Sequence, residues 1–253
     1  MSVLLEREIG KKALLMGNEA LVRGAYEAGL DYASCYPGTP SSEVSNLLYE
    51  LQGAGGFRMD FATNEKVAME AVAGASMGGL NCLTAMKHVG LNVASDPLGT
   101  LTYLGVRGSL VVYSADDPSM FSSQNEQDNR QYARLFGLPC FEPATAQEMK
   151  DMTVAAFALS AQMGMPVMVR ATTRVAHSRG VVGARRHPPQ GRAAPLERIT
   201  RRAAAGQSPC AITSVWSSVC ASLVPVSDAS PFNRVEARRM RASAWSPQCR
   251  GQL

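Results

Sequence analysis

The sequence predicts an α/β fold: a doubly wound, mostly parallel sheet with helices on both faces, followed by a disordered tail. Three observations predict it. Strand-like and helix-like stretches alternate at least five times between Lys12 and Ala171, with short connections, which is the pattern of a parallel sheet covered on both faces. The polar clusters all follow strands: Pro37 to Ser42, Asn64-Glu65, Lys87-His88 and Asp116-Asp117. In open α/β sheets ligands bind at the carboxyl ends of the strands, so these clusters should share one rim. The alternation then stops after Val182.

The elements follow in order. Lys12 to Met16 is short and apolar, either extended or the lead-in to a helix, and Gly17-Asn18 punctuates it. Glu19 to Ala28 carries Ala20, Leu21, Ala25 and Ala28 on one helical face and stops at Gly29. Asp31 to Tyr36 reads as a strand that runs into Pro37-Gly38-Thr39-Pro40, with Thr39 as N-cap and Pro40 as first helical residue of a helix bearing Val44, Leu47, Leu48 and Leu51. Phe57 to Thr63 is a strand. Asn64 then caps a helix from Glu65 to Gly78 that is small and apolar at nearly every position and so should be buried. The strand Asn81 to Met86 leads to a helix ending near Leu104; the strand Ser109 to Ser114 leads through a polar loop to a helix from Asn125 to Phe136. Leu138 to Phe141 is short and extended, Thr145 to Met163 is a helix, and Pro166 to Ala171 is the last clear strand.

Composition limits the function classes. Hydrophobic residues make up 46% of the 253 residues and charged ones 18%, enough apolar material for a core. No run of apolar residues is long enough to span a membrane, and the start MSVLLEREIGKK is no secretory signal, so a cytoplasmic protein is expected. Six cysteines form no C-x-x-C pair and suggest neither zinc, nor an iron–sulfur site, nor a disulfide framework. The net charge of +4 hides a split. Residues 1–183 hold 14 basic and 18 acidic side chains, whereas residues 184–253 hold 11 Arg, no Lys and 3 acids.

Each cluster has a plain reading beside a chemical one. Glu65 is a lone acid at the first turn of an apolar helix, where it either serves only its own helix dipole or has a task. His88 stands on the rim with no second metal ligand spaced to help it. Asp116-Asp117-Pro118 suits a metal or a capped turn. Ser122 to Arg130 is a solvated loop, a lid or a subunit contact. The glycine run at Gly53 to Gly56 follows a helix and lacks dinucleotide-loop order.

Together, YPGTPSSE (Tyr36–Glu43), TNEKVA (Thr63–Ala68), MKHVGLNVASDPL (Met86–Leu98), SADDPSMFSSQNEQDNR (Ser114–Arg130) and RATTRVAHSR (Arg170–Arg179) resemble the large subunit of the indolepyruvate:ferredoxin oxidoreductases. These belong to the thiamine-diphosphate-dependent 2-oxoacid:ferredoxin oxidoreductases, and the resemblance covers residues of about 10–180, the pyrimidine-binding domain. It implies that Glu65 is the glutamate that hydrogen-bonds N1′ of the aminopyrimidine and so activates the thiazolium carbon. It also implies Thr39 as a substrate-side threonine, and His88 and Asn92 as members of a motif typical of the indolepyruvate group, the three together being substrate-binding candidates. For the intact enzyme it implies oxidative decarboxylation of aryl 2-oxoacids to acyl-CoA, with ferredoxin as electron acceptor, a smaller beta subunit and an oligomer. The expected cofactors are thiamine diphosphate, Mg²⁺ and 4Fe-4S clusters; no ligands for the last two stand in this sequence.

The sequence departs from that family after Val182, where neither a G-D-G-type diphosphate motif nor cysteine clusters follow. The expected organisation is therefore a pyrimidine-binding domain at 10–183 and a tail at 184–253 that is disordered or translated out of frame. The scatter of Pro, Trp and Cys in the tail argues against a nucleic-acid arm. The isolated chain should be inactive. The alternative is a non-catalytic α/β binding or interaction module using the same rim.

Overall fold

The computed structural model describes residues 3–6 and 9–184. After a 3-10 turn at Val3–Leu5 come β1 (Lys12–Met16), α1 (Gly17–Glu27), β2 (Tyr32–Cys35), α2 (Ser42–Gly55), β3 (Arg58–Phe61), α3 (Glu65–Met77), β4 (Asn81–Lys87) and α4 (His88–Leu104). These are followed by β5 (Ser109–Asp116), α5 (Arg130–Phe136), β6 (Cys140–Phe141), α6 (Ala146–Met163), β7 (Val167–Thr172), α7 (Thr173–His177) and β8 (Arg179–Gly183). Six strands form one parallel sheet in the order β3-β2-β4-β5-β7-β6.

The strand pleat sends alternate side chains to two cores. Leu83, Ala85, Val111, Tyr113, Val167 and Val169 enter the layer of α1, α2 and α6, whereas Cys82, Met86, Leu110, Val112 and Met168 enter that of α3, α4 and α5. Every residue of β5 is buried, as a central strand covered on both faces must be. The doubly wound expectation therefore holds.

Several local expectations differ. Lys12–Met16 is extended, but it pairs antiparallel with β8 as a separate two-stranded sheet, with Leu14 opposite Val181. Neither β8 nor α7 was legible, because each is five residues long and carries little pattern of its own. α2 begins at Ser42 with Ser41 as its N-cap residue, so Thr39 caps nothing; Pro40 precedes the helix, behind a cis Thr39–Pro40 peptide. α5 begins at Arg130, not Asn125, because Asn125 to Asn129 turn their polar groups to the rim.

α3 is buried on one side only. Ala68, Met69, Val72, Ala73 and Ser76 face the core, whereas Val67 and Glu70 are exposed. Small residues on its inner side let it lie close to α4 and leave the outer side open. The expected tail lies outside the described residues from 185 onward.

Candidate functional site

Strand order changes direction between β2 and β4: from β2 the chain passes outward to β3, then returns across to β4. At such a switch point the connections leave in opposite directions and open a crevice at the strands' carboxyl ends. The segments there are the Tyr36–Ser41 loop after β2 and the start of α4 after β4. They approach closely, since a Cβ on Gly38 would stand 2.8 Å from Cδ of Lys87. Glu65, at the start of α3 after β3, reaches the same place. A Cβ on Gly90, in the first turn of α4, would stand 2.6 Å from Glu65 Oε1.

Glu65 is half-buried, and its carboxyl group has no hydrogen-bond or ion-pair partner among the described residues. Its neighbours are fully engaged. Asn64 Oδ1 accepts the Val67 N–H (2.9 Å) and caps the helix, and Lys66 donates to Asp96 on α4 (2.9 Å). Asn64 therefore does the capping that Glu65 could have been assigned.

His88 is completely buried as the first residue of α4. Its Nε2 faces Asn125 O at 3.0 Å and Asn125 Oδ1 at 3.1 Å. Two oxygens there call for an N–H at Nε2, and Nδ1 is buried without a partner among the described residues. Asn92, one turn on, exchanges hydrogen bonds with Gln127 (2.9 and 2.8 Å) and accepts one from the Tyr132 hydroxyl (2.6 Å). Thr39 is exposed, and its carbonyl accepts from Ser122 Oγ at 3.4 Å. The structure thus brings Thr39, His88 and Asn92 together under one element, the loop between β5 and α5. Glu65 stands apart from that network, against Gly90.

The loop itself is held by two buried aspartates. Asp116 accepts from the Asn129 N–H (3.0 Å) and from Arg170 Nε (2.8 Å). Burial pushes the Asp116 carboxyl above its ordinary value against these two partners. Asp117 accepts from the Ser122 N–H, Ser123 Oγ and Thr173 Oγ1, each at 2.8 Å. Burial works against its charge, but these donors outweigh it and bring the carboxyl down to about 2. The loop is therefore pinned rather than freely solvated. Asp116 and Asp117 act as anchors, and no group of three or more His, Cys, Asp or Glu among the described residues could hold a metal ion.

Sequence reasoning missed Asn18, Gly90, Gln127 and Asn129. Asn18 is fully buried and donates to Pro40 O and Glu43 Oε2, both at 2.8 Å, which fixes the loop after β2. Asn129 donates to the His88 carbonyl (3.2 Å) and to Ser114 Oγ (2.7 Å). The available signal was their density next to strand ends.

Residues 23–207 match the family described as pyruvate flavodoxin/ferredoxin oxidoreductase, thiamine diphosphate-binding. The chain belongs to this family. Similar proteins include the indolepyruvate oxidoreductase subunit IorA of Methanothermobacter thermautotrophicus, 53% identical over 191 residues, 74% of this chain and 31% of that protein. The 2-oxoglutarate synthase subunit KorA of Archaeoglobus fulgidus is 31% identical over 187 residues, 70% of this chain and 52% of that protein. A 2-oxoglutarate:ferredoxin oxidoreductase structure from Magnetococcus marinus shares the fold, with a TM-score of 0.68 at 20% identity, covering 85% of this chain and 46% of that one. The chain therefore spans about a third of the length of the IorA relatives that it matches. No helix among the described residues is long and apolar enough to cross a membrane.

Proposed function

We propose that the chain supplies the pyrimidine half-site of a thiamine-diphosphate-dependent oxidoreductase that oxidatively decarboxylates aryl 2-oxoacids such as indolepyruvate to acyl-CoA. The observation that carries the reading is the Glu65 carboxyl group: half-buried at the switch-point rim, and unpaired while its neighbours Asn64 and Lys66 are engaged. A sheltered carboxyl with no protein partner fits a ligand that brings its own ring nitrogen.

When bound, thiamine diphosphate supplies the nucleophilic carbon and the electron sink for decarboxylation. Glu65 would hold the proton at N1′ of the aminopyrimidine and move it as the ring changes protonation. The first turn of α4 would shield that contact from water. Thr39, His88 and Asn92 stand beside the loop that covers the rim and are proposed to shape the substrate side, with Thr39 and Asn92 exposed and His88 buried beneath them.

The diphosphate site, Mg²⁺ and the 4Fe-4S clusters would come from the length of the relatives that this match does not cover, or from a smaller beta subunit. Ferredoxin and CoA would be partners of that assembled oligomer. Residues 10–183 would be the domain concerned, with the remainder as a tail, and the chain alone would be inactive.

The test is Glu65→Gln in the complete enzyme. The swap keeps shape and removes the proton, so turnover should fall ~10²–10⁴-fold with an unchanged melting temperature. Exchange of the cofactor's C2–H should fall with it. Parental exchange in the folded variant would overturn the reading.

A further inference from the structure

We infer that Gly90 is the residue that positions Glu65: by lacking a side chain, it forms the seat in which the Glu65 carboxyl group rests. The inference deepens the proposed function and rests on it for its catalytic consequence, but the seat itself is a matter of packing.

The three heavy atoms nearest to a Cβ built on Gly90 all belong to Glu65: Oε1 at 2.6 Å, Cγ at 2.7 Å and Cδ at 2.9 Å. Each is closer than real Cβ atoms come to a neighbour. Gly90 lies within a regular helix, so its backbone makes no demand for glycine. Glycine also weakens a helix interior relative to alanine. What calls for it here is the carboxyl group lying over it.

Both walls of the seat are tied to their surroundings. On α4, the His88 carbonyl accepts from both Gln127 Nε2 and Asn129 Nδ2, at 3.2 Å each, and the Asn129 backbone is tied to buried Asp116. On α3, the Asn64 cap fixes the helix start and the Lys66–Asp96 pair links the two helices just beyond the seat. An added methyl group at position 90 must therefore move the side chain of Glu65, the soft partner, and leave both helices in place. This separates position from presence: Gly90→Ala keeps the carboxyl group in the protein but removes it from its resting place.

Four forms test this: the parent, Gly90→Ala, Glu65→Ala and the double variant. The first measurement is thermal melting of the full chain. With Glu65 removed, Gly90→Ala should raise the melting temperature by about 2–4 °C, the usual gain of alanine over glycine in a helix. With Glu65 present the gain should vanish or reverse. Equal shifts in both backgrounds would overturn the inference, as would failure of the double variant to fold, since the clash would then lie elsewhere.

The second measurement is cofactor C2–H exchange in the complete enzyme. Gly90→Ala should slow it on the order of 10²-fold, the cost of misplacing a reacting group by about 1 Å, and the double variant should be no slower than Glu65→Ala alone. If Gly90→Ala exchanges at the parental rate while Glu65→Gln does not, the seat is wrong and the proposed function survives. If the melting shifts are coupled but Glu65→Gln exchanges normally, the seat stands and the proposed function falls.

Discussion

The Tyr113 hydroxyl at the centre of β5 donates a 2.8 Å hydrogen bond to Oδ1 of Asn18 at the start of α1. Both residues are completely buried. The Asn18 amide then donates to Pro40 O and to Glu43 Oε2, so one asparagine joins the central strand, α1 and the loop after β2. Low local dielectric makes such a network strong when complete and costly when broken.

Tyr113→Phe tests it. The ring keeps its packing, but Asn18 Oδ1 is left buried without a donor, which costs about 1–3 kcal/mol. Urea unfolding should show a lower midpoint with an unchanged slope. The loop from Tyr36 to Ser41 should exchange its amide hydrogens faster, because Asn18 is its internal anchor. A variant as stable as the parent would mean that the bond carries no weight.

The sheet was legible because each central strand announces itself locally: NCLTAM and SLVVYS are apolar runs ended by polar residues. The rim was legible for the same reason, since Lys87-His88 and Asp116-Asp117 fall where strands stop. What stayed hidden depends on pairings across the chain. β1 finds its partner in β8, with Met16 opposite Arg179, and nothing in RGVVG names that partner. Asn18 looked like turn punctuation because its three partners lie at 40, 43 and 113. Glu65 was visible as an acid in an apolar helix, but its neighbour Gly90 lies in the helix after the next strand, so nothing local gives the reason for that glycine. α3 seemed buried all round because composition does not say which side meets a neighbour.

A second buried cluster lies on the same face of the sheet, between α1 and α6. Glu27 accepts from Arg23 Nε at 2.8 Å and stands 3.4 Å from the Lys150 ammonium, and Lys150 also donates to Gly183 O at 2.8 Å. Lys150 is completely buried and Arg23 is 3% exposed; Arg23 pairs with Glu27, and Lys150 shares Glu27 with Asp151, 3.1 Å away. Glu27→Ala should cost about 3–5 kcal/mol, because it leaves buried charge uncompensated. The loss should concentrate at β8, whose last carbonyl the lysine holds. Chemical denaturation measures the first effect and hydrogen exchange at Val181–Gly183 the second. A loss below about 1 kcal/mol would place the cluster with ordinary surface pairs.

The last prediction concerns acid. Hydrogen bonds from the Ser122 N–H, Ser123 Oγ and Thr173 Oγ1 outweigh burial and hold Asp117 at about 2 in the folded chain. An unfolded aspartate titrates near ~3.9. A depressed carboxylate contributes stability that is complete above the unfolded value and is lost as pH falls through the folded one. The window is therefore roughly pH 4 down to pH 2, and the contribution is on the order of 2–3 kcal/mol. Asp116, pushed up by burial, shifts the other way, so total acid stability mixes the two. The difference between the parent and Asp117→Asn isolates Asp117. The amide has one acceptor oxygen where the carboxylate uses two, so the variant should be less stable at pH 7. The gap between the two proteins should narrow as pH drops from about 4 toward 2, when the parent's Asp117 takes up its proton. The loop over His88 and Asn92 should also loosen in the variant at neutral pH, read as faster proteolysis between Pro118 and Asn129. A stability gap that stays constant from pH 7 to pH 2 would show that Asp117 is not held in its charged form by these donors.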